Sequence, residues 1–476
     1  MKTTYKLGMV VLISLTSLLS CKKNLDINND PNNFTDVPIQ LILPPAQVQL
    51  AYTLGGDVSR ITGSFVQHYA GHRNQPLEYN QFDVTPPTSD GLWQRLYSVT
   101  LRDLKSISDK AEVSGDKMYL GVSQILSAYT YSILTDLFGD IPFTQSLQDD
   151  KNITPGYDKQ ETIYPALITM LETGITNIKS NAGLEMGDDD VIYGGDMVKW
   201  EKFANSLKLR LLNHISKRDP NAVLTFLNSN PLLITDNADN AMLVFGTTAN
   251  NANPIYGFDV LSGRKDMAVS ATLVTKMQSL NDPRIPLYFF PVLNNGQGRK
   301  GQYWGNTPGN DLDDAAQNYF SRVGSFYASI NSPVVLMSAA EVQFIIAEVR
   351  FRANNLAAAG TAYNTAITKD FEALGLTGAA AYLAKPDVAF DNTLKRIMEQ
   401  KWITMYQAPY ESWVDWRRTG FPAIVNNGTN RTGGVIPRRL PYPQLEINLN
   451  RAALEAGPGV PIPFETLKTR VWWDVP

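Results

Sequence analysis

The sequence predicts a mainly α-helical protein in which paired antiparallel helices build a scaffold and one long irregular stretch interrupts it. Three observations carry this expectation. Apolar residues recur at three- and four-residue steps along stretches that follow one another in pairs. Gly, Asn and Pro close those stretches where a helix would have to stop. Between about residues 230 and 335 the helical period lapses, while Asn, Gly, Pro and aromatic residues dominate.

Taken in order, residues 1–20 read as a secretory leader: Lys2 and Lys6 border a short basic region, and Leu7 to Leu19 is an apolar run too short to span a bilayer. Cys21, the chain's single cysteine, follows Leu18-Leu19-Ser20 and cannot form an internal disulfide. Its place fits the lipobox of a bacterial lipoprotein, so it is expected to be lipidated. Residues 21–45 are rich in Asn, Asp and Pro and are expected to form an anchor and irregular tether, leaving 46–476 as a single domain. Removing residues 1–20 takes away two lysines and no acids, so the net charge falls from −4 to −6 (−4 − 2 = −6). That mild acidity argues against nucleic acid, whose phosphates need a basic face.

The first helix is expected over about 93–111, ended by Ser114-Gly115, and the next carries the stripe Tyr119, Val122, Leu126, Tyr129, Ile133 and Leu137 up to Gly139. Further helices are expected at 161–179 and 196–217, the latter with Trp200, Phe203, Leu207 and Leu211 on one face. Within the irregular middle only 268–280 has a helical pattern. Ser338-Ala-Ala-Glu341 is a capping-box signature opening a helix through Val342, Ile345 and Val349, with a partner over 356–374. Leu394, Met398, Trp402 and Met405 begin another helix with Asp391 as its cap. Pro409 ends that helix and starts a second, which stops at Gly420-Phe421-Pro422; the two are expected to form a hairpin. The three prolines at 437, 441 and 443 then force an extended segment that presents Arg438 and Arg439.

Several motifs stand along nearly the whole chain: Asn28-Asn29-Asp30-Pro31-Asn32, Asp136-Leu-Phe-Gly139-Asp140-Ile-Pro142-Phe143 and Asp196-Met-Val-Lys199-Trp200-Glu-Lys-Phe203-Ala204-Asn205. Toward the end come Gln400-Lys401-Trp402, Glu411-x-Trp413-x-Asp415-x-Arg417-Arg418-Thr419-Gly420 and Pro437-Arg438-Arg439-Leu440-x-Tyr442-Pro443-x-x-Glu446. Their combination resembles the SusD/RagB family of outer-membrane nutrient-binding lipoproteins, in the branch described as starch-binding associating with the outer membrane. The resemblance implies a scaffold of tetratricopeptide-like helical hairpins bearing long irregular ligand-binding loops. It also implies a lipid-anchored, surface-exposed protein that delivers an oligosaccharide, or a peptide, to a SusC-type TonB-dependent transporter. An enzyme is not implied; a secreted glycan-degrading enzyme is the alternative from another class.

In the resembled family ligands sit in loops on the scaffold, often against aromatic rings. Two stretches here are both aromatic and irregular. One holds Tyr69, His72, Arg73, Tyr79 and Trp93, the other Tyr303, Trp304 and Tyr327. Ring faces stack on sugar C–H faces or peptide side chains, while polar groups hydrogen-bond their edges.

Other signals are weaker. Gly296-Gln-Gly298-Arg-Lys-Gly301 spells GxGxxG without the strand before and helix after that nucleotide binding needs. His68 and His72 have i, i+4 spacing but lack the metalloprotease Glu, and His214 belongs to another helix. Asp188-Asp189-Asp190 and Asp311-Leu-Asp313-Asp314 are hard-oxygen clusters of the kind that suits a structural calcium, yet neither has EF-hand spacing, which favours solvated loops or helix caps. No cofactor is implied. Arg417-Arg418 and Arg438-Arg439 could meet an anion; their setting among Glu411, Asp415, Glu446 and tryptophans favours a clamp on the C-terminal segment.

Overall fold

The structure, a computed structural model, describes residues 37–293, 297–310, 319–426 and 428–476. The leader, Cys21, the Asn28 to Asn32 motif, Gly296 and the Asp311 to Asp314 cluster lie outside the described residues.

Helix α1 (Ile39–Thr53) runs through a π-helical turn, Leu54–Val58, into α2 (Ser59–Phe65). The irregular lead-in expected up to residue 45 is corrected here, because α1 starts at Ile39 and contains Pro44 and Pro45. Each proline removes a backbone donor and costs roughly 3 kcal/mol inside a helix. Burial of Ile39, Leu43 and Leu50 offsets this at about 1.5–3 kcal/mol per large side chain. The helix expected at 93–111 likewise starts early: a helix over Pro86–Gln94, with a capping box between Thr85 and Thr88, passes through the π turn Arg95–Leu101 into α3 (Arg102–Ser114).

Helix α4 (Lys117–Phe138) is buried along almost its whole length and is the central rod. It packs between α3 and α5 (Gln160–Lys179). The backbones of α4 and α5 come so close that a Cβ on Gly121 would lie 2.6 Å from the Gly174 carbonyl oxygen, so only glycine fits there. Next, α6 (Met197–His214), capped by Asp196, stacks on α5.

The middle of the chain is largely irregular, as expected. It holds α7 (Ala271–Ser279), capped by Ser270, and four short strands: β1 (Ala241–Leu243), β2 (Phe289–Phe290), β3 (Arg322–Val323) and β4 (Val334–Met337). These pair antiparallel as β1 with β4 and β2 with β3. Arg284, fully buried, pairs locally with Asp282 at 2.6 Å and staples this region to the scaffold through Asp370 at 2.7 Å.

Helical pairing resumes with α8 (Ala339–Arg352) and α9 (Leu356–Ala373). The capping box at Ser338 is only half formed. The Ser338 hydroxyl accepts from the Glu341 amide, but the Glu341 carboxylate turns inward to Arg210. Helices α10 (Leu394–Thr404) and α11 (Pro409–Thr419) follow, joined by the 3₁₀ turn Met405–Gln407. They are not chiefly each other's partners, because α10 lies on α8 and α11 lies on α2. The cap of α10 is Thr393 and not Asp391, whose carboxylate accepts from the Thr393 amide and hydroxyl instead.

A chain of buried charges runs through the contact of α4, α6, α8, α10 and α11. Arg210 binds Glu341 at 2.7 Å, and Glu411 holds His214 at 3.0 Å. His214 also faces Asp136 at 3.2 Å, and Asp136 accepts from the Trp473 indole at 2.8 Å. Arg418 makes a two-pronged contact with Glu348 at 2.8 and 2.9 Å and reaches Asp415 at 2.6 Å, which Lys401 approaches at the same distance. Burial opposes the charge on His214, yet Glu411 and Asp136 outweigh it and raise its pKa to about 9.

Removing one partner from such a network strands its mate. Glu348→Ala is expected to cost about 3–5 kcal/mol in urea unfolding, since Arg418 and Arg352 lose their buried carboxylate. Cutting the exposed Lys105–Asp109 pair by Lys105→Ala should change stability by less than about 1 kcal/mol. The raised His214 pKa stabilises the fold fully below the unfolded value of 6.5, and this contribution is lost as pH rises through about 9. The unfolding free energy of the wild type, from urea titration, should therefore fall across that window, by roughly 3 kcal/mol in all for this group, while that of His214→Gln should respond much less.

Candidate functional site

The first aromatic stretch is not irregular throughout, since Tyr79 lies on a helix over Asn74–Asn80 and Trp93 on the helix over Pro86–Gln94; its Tyr69 to His72 part meets the second stretch on either side of segment 266–271. After α2 the chain turns at Gln67, and Ala70 donates its amide to the Ala268 carbonyl while His72 donates to that of Asp266. On the other flank the Ala271 amide bonds the Asn306 carbonyl at 2.8 Å, and the Asn306 side chain crosses back to the Ala70 carbonyl, also at 2.8 Å. Gly305 has no room for a side chain, because a Cβ there would lie 2.4 Å from the Ala271 nitrogen. The Trp304 carbonyl accepts from the Ser321 amide, and the Tyr303 carbonyl from the Gln278 side chain of α7. The backbone beneath Tyr303 and Trp304 is thus pinned from three directions.

The expected ligand residues divide by burial. Tyr69, His72, Tyr79 and Trp93, expected as ligand contacts, are buried in this structure. Tyr69 packs edge-on to Tyr406 at 5.5 Å, and Trp93 lies 4.7 Å from Tyr97 and 5.0 Å from Phe138. Burial pushes the His72 pKa down, and the ring sits beside Phe320. Tyr327 is half-buried, 5.3 Å from both Tyr288 and Tyr406, and lines a 250 Å³ cavity with Asp370 and Gln407. Arg73, half-buried, approaches Asp266 at 4.0 Å.

Trp304 remains 43% exposed, with Tyr303 half-buried next to it. The Arg299 guanidinium lies over the Trp304 ring at 4.0 Å, a partner that sequence reasoning missed. Its signal was present: a cation five residues before a tryptophan in a Gly-rich loop. Together these side chains form a ledge with one aromatic face and one planar cation. Such a ledge can stack on a ring-shaped ligand and hydrogen-bond its edges. A larger groove of 780 Å³ lies elsewhere, between Phe82 to Pro86 and Phe464 to Lys468, and none of the expected residues lines it.

The arginine pairs are structural. Arg417 lies 3.6 Å from the Trp413 ring centre and 4.5 Å from that of Trp473, donates to the Asp136 carbonyl at 2.7 Å, and is pushed down to about 10 by burial. Arg438 reaches Asp474 at 3.1 Å across the face of Trp416, and Arg439 donates to the Phe138 carbonyl. Asp189 and Asp190 are engaged by protein donors: Tyr119 at 2.6 Å for the first, Gln47 at 2.8 Å and the Trp200 indole at 2.7 Å for the second. His68 bonds the Trp402 carbonyl at 2.8 Å. Among the described residues no group of three or more His, Cys, Asp or Glu side chains could hold a metal, and no helix is long and apolar enough to cross a membrane.

Over residues 31–443 the chain matches the SusD-like family described as starch-binding associating with the outer membrane, and it belongs to that family of outer-membrane-associated binding proteins. Among solved structures it is similar to a chitin-binding protein, at 26% identity and TM-score 0.80, covering 92% of this chain and 100% of that one. It is also similar to a SusD homologue from Bacteroides uniformis, at 28% identity and TM-score 0.75, covering 91% and 99%. A chitin-binding SusD homologue from Flavobacterium johnsoniae shares the fold at 24% identity and TM-score 0.79, covering 92% and 98%. No curated protein matches the chain.

The division by burial is checked by stability. Trp93→Ala is expected to destabilise by about 3–5 kcal/mol, as loss of a buried aromatic does, whereas Trp304→Ala should leave the urea midpoint within about 0.5 kcal/mol of wild type.

Proposed function

We propose that this protein captures glycans at the outer membrane on the ledge of Tyr303, Trp304 and Arg299, and hands them to a SusC-type TonB-dependent transporter. The observation that carries the reading is the convergence of the two aromatic loops on segment 266–271, which fixes the backbone under a half-exposed tryptophan. The family description and the likeness to the 26% identical chitin-binding protein support a carbohydrate ahead of a peptide. The indole face suits the C–H face of a pyranose, and the guanidinium and amide groups suit hydroxyl or N-acetyl substituents. Cys21, lipidated after export, would tether the body at the cell surface. In this role the protein binds and releases; it does not cleave.

Calorimetric titration against chito- and malto-oligosaccharides, with product analysis, tests the proposal. Binding without turnover is expected, and Trp304→Ala should weaken it at least tenfold, about 1.4 kcal/mol, with unchanged unfolding. Full affinity in a Trp304→Ala, Arg299→Ala variant would overturn the site. Turnover abolished by a single Asp or Glu substitution would overturn the binding role.

A further inference from the structure

Helix α1 is apolar on both faces. Its inner face buries Ile39, Leu43, Ala46 and Leu50. Its outer face exposes Leu41 (66%), Pro45, Val48 (39%) and Tyr52 (41%), spaced i, i+4, i+7 and i+11, which is one stripe along a helix. From Val37 to Gly56 there is no charged residue in a chain that is 18% charged. The stripe is continued from neighbouring segments. Val191, 40% exposed, donates its amide to the Gln47 side chain of α1, and Val244, 61% exposed, adjoins Phe245, whose ring lies 6.5 Å from that of Tyr52. A helix with apolar stripes on two faces and no charge is normally covered on both, and contiguous exposed apolar patches mark interaction surfaces.

We propose that this outer face of α1 is where the protein seats on an uncharged, apolar surface of the transporter barrel; the inference rests on the delivery role proposed above. Two features favour a protein occupant over lipid. Interfacial membrane helices carry Lys and Arg on their polar face, whereas α1 has only glutamines there. The centres of protein interfaces are poor in charge and rich in aromatic anchors, which Tyr52 supplies. The sixteen residues from Cys21 to Asp36 can reach at most about 55 Å, so an anchored chain would hold α1 close to any barrel in the same membrane.

The test uses the full-length, tagged chain recovered from native membranes in mild detergent. Wild type is expected to bring a barrel with it, and a Leu41→Glu, Val48→Glu variant to lose at least tenfold of that recovery, with oligosaccharide affinity and unfolding unchanged because both positions face outward. Undiminished recovery by the variant overturns the docking face and leaves the transporter reading standing. Absence of any barrel with wild type overturns the transporter reading, and the docking face with it. Flotation of a Cys21→Ala chain on phosphatidylethanolamine vesicles, abolished by the same pair of substitutions, would assign the face to lipid and overturn the proposal.

Discussion

The buried salt-bridge chain centred on α11 is the constraint on which the rest of the structure depends. One short helix supplies Glu411, Asp415, Arg417 and Arg418, and each reaches a different part of the chain. Glu411 meets α6, Arg418 meets α8, Asp415 meets α10, and Arg417 holds the carbonyl of Asp136 on α4 and that of Arg438 in the C-terminal segment. Ions removed from water are costly, and such pairs repay the cost only when geometry and hydrogen bonding are nearly complete. Completeness is what specifies the arrangement here. A register slip of α11 by one residue would leave several charges buried without partners, so the network selects one packing even where it adds little net stability.

That dependence explains why the scaffold was legible in the sequence and its joints were not. Amphipathic stripes and Gly or Pro stops are local signals, and they located the long helices to within a few residues. The two π turns and the start of α1 defied the same rules. Pro44 and Pro45 read locally as breakers, but packing of Ile39, Leu43 and Leu50 against the remainder of the core outweighs two missing hydrogen bonds. Neither α10 nor α11 settles chiefly on the other, because each has a larger partner far away in sequence. Glu341 abandons its capping box for the same reason, since Arg210 lies buried within reach. Tertiary demand overrides local preference wherever a charge would otherwise be stranded.

The candidate site was legible at the level of loops and poorly legible at the level of side chains. Aromatic, irregular stretches did identify the segments that converge on residues 266–271. Composition could not say which rings turn inward, because Tyr79 and Trp304 look alike in a list and differ only in what lies above them. Large aromatic side chains are the usual filling of a core this size. The segment that organises the site, with Ser270 and Asn306 at its crossing, carries no aromatic residue and so gave no signal.

Satisfying charge internally also decides what the surface has left to offer a ligand. Arg417, Arg418 and Arg439 are buried and Arg438 is largely so, spent on carbonyls, carboxylates and ring faces; the most conspicuous cationic motifs of the sequence are therefore withdrawn from binding. What remains beside Trp304 is a guanidinium already stacked on a ring, whose charge is presented edgewise and not as a free ammonium. The proposed site would on that ground favour planar and hydroxyl-bearing groups over strong anions, and its loop is held by hydrogen bonds to segment 266–271. Rigidity at the centre is thus the condition for having two separate surfaces, one polar and aromatic, one wholly apolar, on a single helical frame.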